Sequence, residues 1–307
     1  VKKVIRQRRA ASTPRRATPE LFLELRARLT DRDQAILELV WEHRVLTTHQ
    51  LAAIFFTTPG KARDRLLQLF RLKALERFQP WVPVGAAPYH WVLGPLGAQH
   101  LAAHRDTTLS GLGYRRTTAL QISHSRHLAH QVGVNEFFTQ LHAHARHTPH
   151  AHLDKWWPER RCTQLWGDLA RPDAYGRWTE NTPGAKRPAT VDFFLEHDTG
   201  SVTLAKVAAK LNGYEALAEA TGITTPVLFW LPNTRRETHL RALLGTPPVP
   251  VATAVHTPAG ATTGGPAGPV WLPAGQDGPR RRLTDLAAPA PPTSATGAGR
   301  TEDTDCR

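Results

Sequence analysis

Cysteine is scarce, methionine is absent, and no long apolar run occurs in the chain. The two cysteines, Cys162 and Cys306, lie far apart, which excludes a disulfide framework and a cysteine-based metal centre. A membrane-spanning helix needs about 18 consecutive apolar residues, and the sequence has no such run. The N-terminus is basic but lacks the apolar stretch of a signal peptide. These absences point to a reducing, cytoplasmic setting with no membrane partner. Val at the first position and the lack of Met fit a GTG start or a processed chain. Acid is in short supply too: 26 Asp and Glu face 39 Lys and Arg, a net charge of +13 over 307 residues. That excess argues for a polyanionic partner, most simply nucleic acid. Abundant Ala, Arg, Pro, Thr and Gly reads as high-GC coding, so part of the arginine excess is compositional.

The strongest pattern in what is present covers residues 30–92. Thr30 with Asp33, and Thr47 with Gln50, have the spacing of capping boxes that open helices. Ile36, Leu37, Val40 and Trp41 recur at helical spacing after the first, and Leu51, Ile54 and Phe55 after the second. Thr58-Pro59 opens a third helix with a hydroxyl cap and a proline at its first position. On that helix Ala62, Leu66, Leu69 and Phe70 share one face. Lys61, Arg65 and Gln68 share another, flanked by Arg63, Asp64 and Arg71. Two strand-like runs separated by a Pro/Gly-rich turn follow, near residues 75–78 and 89–93. Three short helices and a hairpin predict a winged helix-turn-helix. Its third helix would enter the major groove of double-stranded DNA through Lys61, Arg63, Arg65, Gln68 and Arg71. A solvated polar face is the plainer reading of any single such helix.

The whole chain reads as mixed α+β. Residues 1–18 form a basic arm expected to be disordered, and residues 19–105 the winged unit. Residues 106–150 form a helical spine or dimer contact, with one long helix near residues 117–146 and a break expected at Gly133. The histidines crowded there, from His124 to His152, show no companion acids at ligand spacing and read as exposed surface. Residues 151–286 alternate strand-like runs, near Arg161 and residues 175–179, 191–196, 227–231, 251–255 and 270–272, with a helix over 203–221. That order predicts an α/β domain with a mixed sheet. A tail over 287–307 is expected to be disordered.

Chemistry, if present, concentrates in this second half. Pro172-Asp173 precedes one strand, Glu196-His197-Asp198 closes the next, and Lys210 and Tyr214 follow on the helix. Acids at the ends of neighbouring strands can hold one Mg²⁺ and activate water toward a phosphodiester, with a lysine stabilising the developing charge. The order resembles a degraded PD-(D/E)xK nuclease motif, with Asp173 and Glu196 as metal ligands and Lys210 as the displaced cation. Asp198 stands where the motif carries lysine. Such an endonuclease would take Mg²⁺; a pure DNA-binding protein needs no cofactor. The alternative is that these are strand-end carboxylates satisfied by arginines such as Arg171 and Arg177. A tyrosine nucleophile at Tyr175 or Tyr214 is a further variant.

Several segments carry a broader likeness: residues 29–33 (LTDRD), 88–95 (PYHWVLGP), 133–138 (GVNEFF), 156–162 (WWPERRC), 171–176 (RPDAYG), 194–200 (FLEHDTG) and 210–214 (KLNGY). Together they resemble the replication-relaxation family of high-GC Gram-positive bacteria over roughly residues 30–286. The resemblance implies a plasmid or integrative-element protein that works on element DNA, alone, as a homodimer, or with replication proteins. A dimeric repressor or scaffold is the remaining alternative.

Overall fold

A computed structural model describes residues 16–181, 188–256 and 264–287. The expected disordered arm, apart from residues 16–18, and the tail beyond Ala287 lie outside the described residues. The fold is mixed α+β with two sheets, one of three strands and one of six.

The first unit follows its caps closely. Helix α1 (Pro19–Arg28) is capped by Thr18, and α2 (Asp31–His43) by the Thr30–Asp33 box. Strand β1 (Leu46–Thr47) leads into α3 (Thr48–Phe55), opened by the Thr47–Gln50 box. Helix α4 (Pro59–Arg71) starts at Thr58, whose hydroxyl accepts the Lys61 amide. Strands β2 (Leu75–Phe78) and β3 (His90–Leu93) complete an antiparallel sheet in the order β1-β3-β2. Ala62, Leu66 and Leu69 anchor α4 by complete burial, each leucine stabilising the seat by roughly 2 kcal/mol. Helix α5 (Pro95–His104) closes the unit.

The expected long helix is two. Helix α6 (Arg116–Gln121) runs into a 3₁₀ turn, and α7 (Leu128–Ala145) starts afresh. The break falls before Leu128, and α7 passes through Gly133 unbroken. Glycine makes room there for an imidazole: a Cβ would sit 2.0 Å from Nε2 of His197, and the ring would have to shift. Helix α7 is a central spine, with Phe137 and Phe138 fully buried against the second sheet. On its other side Asn135 Nδ2 donates to the Val45 carbonyl at 2.6 Å, and Gln50 Nε2 donates to the Val132 carbonyl at 2.9 Å. The first unit is thus fixed to α7 by buried polar bonds, which lose more when broken than exposed ones.

The second sheet orders its strands β4 (His152–Pro158), β5 (Ala174–Glu180), β6 (Ala189–His197), β7 (Val227–Leu231), β8 (Val251–Val255) and β9 (Leu272–Pro273). The β4–β5–β6 pairs are antiparallel, β6–β7–β8 parallel, and β9 an antiparallel edge. The strand expected near Arg161 is instead helix α8 (Glu159–Trp166), and the strand lies just before it. Pro158 has no N–H for the ladder and a fixed φ suited to an N-cap, so strand gives way to helix there. The helix expected over 203–221 divides into α9 (Leu204–Ala209) and α10 (Leu211–Thr221), with Lys210 at the joint. Helix α11 (Thr234–Leu244) carried no assignment in the sequence reading. Among the described residues no helix is long and apolar enough to cross a membrane.

Candidate functional site

The expected site residues fall in two places: the outer face of α4, and the carboxyl end of β6. On α4, Lys61, Arg63, Gln68 and Arg71 are exposed. Among the described residues, neither Lys61, Arg63 nor Arg71 has an acidic partner. Arg65 behaves differently and departs from the outward role expected of it. Its guanidinium turns back onto the fully buried Asp33 carboxylate through Nε (2.9 Å) and Nη2, and onto the Arg28 carbonyl at 2.8 Å. Nη1 also holds Gln68 Oε1 at 2.8 Å. Burial pushes the Asp33 carboxyl up, but the bonds from Arg65 and Thr30 outweigh it and hold the group below its ordinary range. Arg65 therefore braces α4 against α1 and α2, and the outward groups are Lys61, Arg63, Gln68 and Arg71. The loop between β2 and β3 carries Trp81 and Val84 almost wholly exposed.

At the second place, register does the work. Ala174 pairs with Leu195, which sets Asp173 directly opposite Glu196 across the β5–β6 pair. Both carboxylates are buried. Lys210, at the joint between α9 and α10, reaches both: its Nζ lies 3.2 Å from Asp173 Oδ1 and bonds Glu196 Oε2. Tyr214, one turn along α10, donates to Glu196 Oε1 at 2.5 Å. Asp173 Oδ2 accepts the His197 amide at 2.7 Å and lies 3.3 Å from His130 Nε2 on α7. Asp173, Glu196 and Lys210, far apart in sequence, thus form one cluster. Arg171 and Arg177 do not satisfy it: Arg171 bonds the Gly167 carbonyl and Arg177 pairs with Asp192. Asp198 is tied to Arg236 and belongs to a separate ion pair.

The cluster splits its two acids. Burial and the nearby Asp173 charge push the Glu196 carboxyl well up. Burial pushes Asp173 up as well, yet His130 and Lys210 outweigh it and hold that carboxyl down. Burial draws His130 and Lys210 down, and the carboxylates outweigh it and raise both. Two acids whose affinities are driven apart can divide proton-holding and charge-bearing roles. His130 and Lys210 keep 29% and 42% of their side chains exposed, so cations form the outer layer over buried acids.

The sequence placed His130 with the other histidines of this region on the surface, and the structure sets it against Asp173 instead. Others leave the surface as well. His144 lies beside Glu180 at 3.4 Å, and His142 lies 6.0 Å from the Trp156 ring. Burial draws His142 down to about 4. The signal that could have found His130 is its position on α7, four residues before Val134 and so on the face that meets the sheet. Tyr214 is buried and Tyr175 is hydrogen-bonded to Asp192, so neither presents a free hydroxyl as a nucleophile.

As to metal, all four oxygens of Asp173 and Glu196 are engaged by side chains or backbone, and Lys210 bridges the two groups. A divalent ion would reach this pair by displacing Lys210. Among the described residues, no group of three or more His, Cys, Asp and Glu has the geometry to hold a metal.

Residues 37–229, from α2 to the middle of β7, match the replication-relaxation family. The chain belongs to that family. Both candidate places fall inside the matched span, so each is part of the replication-relaxation region. Membership supports a role in replication or relaxation of plasmid or mobile-element DNA. No curated protein and no solved structure matches the chain.

Proposed function

We propose that this replication-relaxation protein binds double-stranded DNA through a winged helix-turn-helix formed by α2, α3, α4 and the β2–β3 hairpin. The observation that carries the reading is α4: an apolar stripe holds it down while Lys61, Arg63, Gln68 and Arg71 face outward, the three cations without acidic partners among the described residues. Cations on such a helix meet phosphates, and Gln and Arg reach base edges. The order helix, strand, helix, helix, strand, strand agrees with it. Affinity for duplex DNA should fall steeply with salt. Replacing Lys61 and Arg63 by Ala should lower the slope of log K against log[salt] by about two, one per lost phosphate contact. An unchanged slope and affinity would remove α4 from the interface.

A second reading, a phosphodiester-cleaving site, is favoured by the convergence of Asp173, Glu196 and Lys210. Asp173 and Glu196 would hold Mg²⁺ once Lys210 swings off, and the metal would supply an activated water. Lys210 and His130 would then stabilise charge on the attacked phosphate. Incubating supercoiled plasmid with the protein and Mg²⁺ or Mn²⁺ tests it, with Asp173→Ala in parallel. Nicking by the parent protein and none by the variant supports the reading. Equal nicking by both, or none by either, sinks it.

A further inference from the structure

A cleft of about 410 Å³ opens between the C-terminal end of α2, the loop after α5 and the first turns of α8. Its volume lies in the range of small-ligand sites. Three guanidinium-bearing residues line it, Arg105, Arg160 and Arg161, with Trp41 as an aromatic wall and Thr107 and Gln164 as polar groups. Glu42 is the acid in the lining; its Oε2 lies 3.6 Å from Arg160, beyond hydrogen-bond reach. Arg160 stands 5.3 Å over the Trp41 ring, and Arg161 lies 4.4 Å over Trp157. Among the described residues neither Arg105 nor Arg161 has an acidic partner. Three arginines against one glutamate leave the cleft positive: Glu42 offsets Arg160, and among the described residues no acid offsets Arg105 or Arg161.

We infer that this cleft binds the phosphate of a nucleotide within single-stranded DNA, with Arg105 and Arg161 on the phosphate and the Trp41–Arg160 wall beside the base. Guanidinium forks match phosphate oxygens, and the planar faces of indole and guanidinium accept any base by stacking. The stacking wall decides for a single strand: an indole and a guanidinium need a free base face, and a double helix buries its base faces against one another. The position of the cleft adds to this. Helix α8, which carries Arg160 and Arg161, begins right after Pro158, and Pro158 pairs with Ala174, the neighbour of Asp173. The cleft and the Asp173–Glu196–Lys210 cluster thus flank the same end of the β4–β5 pair. This contact is separate from the α4 face and does not depend on it.

The test uses the full chain and fluorescein-labelled oligo-dT of ten nucleotides at low salt, read by anisotropy, with a duplex of the same length alongside. The Arg105→Ala/Arg161→Ala variant should weaken oligo-dT binding about tenfold or more while leaving duplex binding near the parent value. Lys61→Ala/Arg63→Ala should do the reverse. Both arginines are exposed, and a thermal melt equal to the parent's confirms that the variant is folded. Thymidine monophosphate as competitor separates the two sources of the same chemistry. Displacement of the oligonucleotide shows that one nucleotide suffices, and failure to displace it assigns the site to a strand. Oligo-dT affinity within twofold of the parent in the Arg105/Arg161 variant overturns the inference. So does a parent protein that binds duplex but not oligo-dT.

Discussion

The two charged regions treat charge in opposite ways. On α4 the cations stand outside on an apolar footing, and the one arginine that turns inward, Arg65, is held by a buried Asp33. Around β6 the acids lie inside and the cations cover them. The first arrangement suits a surface that meets a polyanion by charge. The second stores acids of unlike proton affinity beneath groups that can receive an anion. The difference teaches that residue type alone does not assign a role. Arg65 and Arg63 are two positions apart on one helix, yet one braces the fold and the other faces solvent.

That contrast can be broken most sharply at Arg65. Arg65→Ala leaves the Asp33 carboxylate buried and unpaired and should cost about 3 kcal/mol of stability in urea unfolding. Arg63→Ala should change stability by less than about 0.5 kcal/mol. Equal effects would mean that the Arg65–Asp33 pair does not brace the helix.

The second sheet offers a test of packing rather than charge. A Cβ on Gly176 would lie 2.2 Å from Phe193 and 2.9 Å from Phe138, both buried rings. Gly176→Ala should therefore destabilise by roughly 2 kcal/mol through overpacking, seen as a lower melting temperature. A neutral outcome would show that α7 is free to move off the sheet.

An effect of similar size is read through pH rather than through packing. His142 and His197 are drawn by burial to about 4, while unfolded histidines titrate near 6.5. Above pH 6.5 both forms are neutral and stability is at its full value. As pH falls below 6.5 the unfolded chain takes up protons that the folded chain refuses, so stability declines until the folded values are passed. At pH 5 each should cost about 2 kcal/mol. His142→Gln should blunt the loss between pH 6.5 and 5 by about that amount in calorimetry. A variant with the parent's pH profile would show that His142 titrates normally.

Helix starts were legible because capping is local. Thr30, Thr47 and Thr58 each bond an amide three residues on, and no distant contact is needed to form the cap. Strands β7 and β8 were legible because continuous apolar runs of β-branched and aromatic residues fit a sheet covered on both faces. Strand β4 was not. Its exposed end alternates weakly, and its aromatic end, Trp156-Trp157, gave no boundary against α8. Asp173, Glu196 and Lys210 were legible as residue types in a plausible order. His130 was hidden among histidines that composition made look alike.

By itself, then, the sequence determined the caps, the apolar stripe of α4, the excess of positive charge and the chemical identity of the acids. Those properties depend on neighbours a few residues away, or on none. Only the tertiary structure decided that Arg65 turns inward, that His130 and Tyr214 join the acids, and that three arginines from two separate segments face one cleft. Each of those outcomes depends on strand register and helix packing. Such long-range choices set which side chains lose water together, and no short window of sequence contains them.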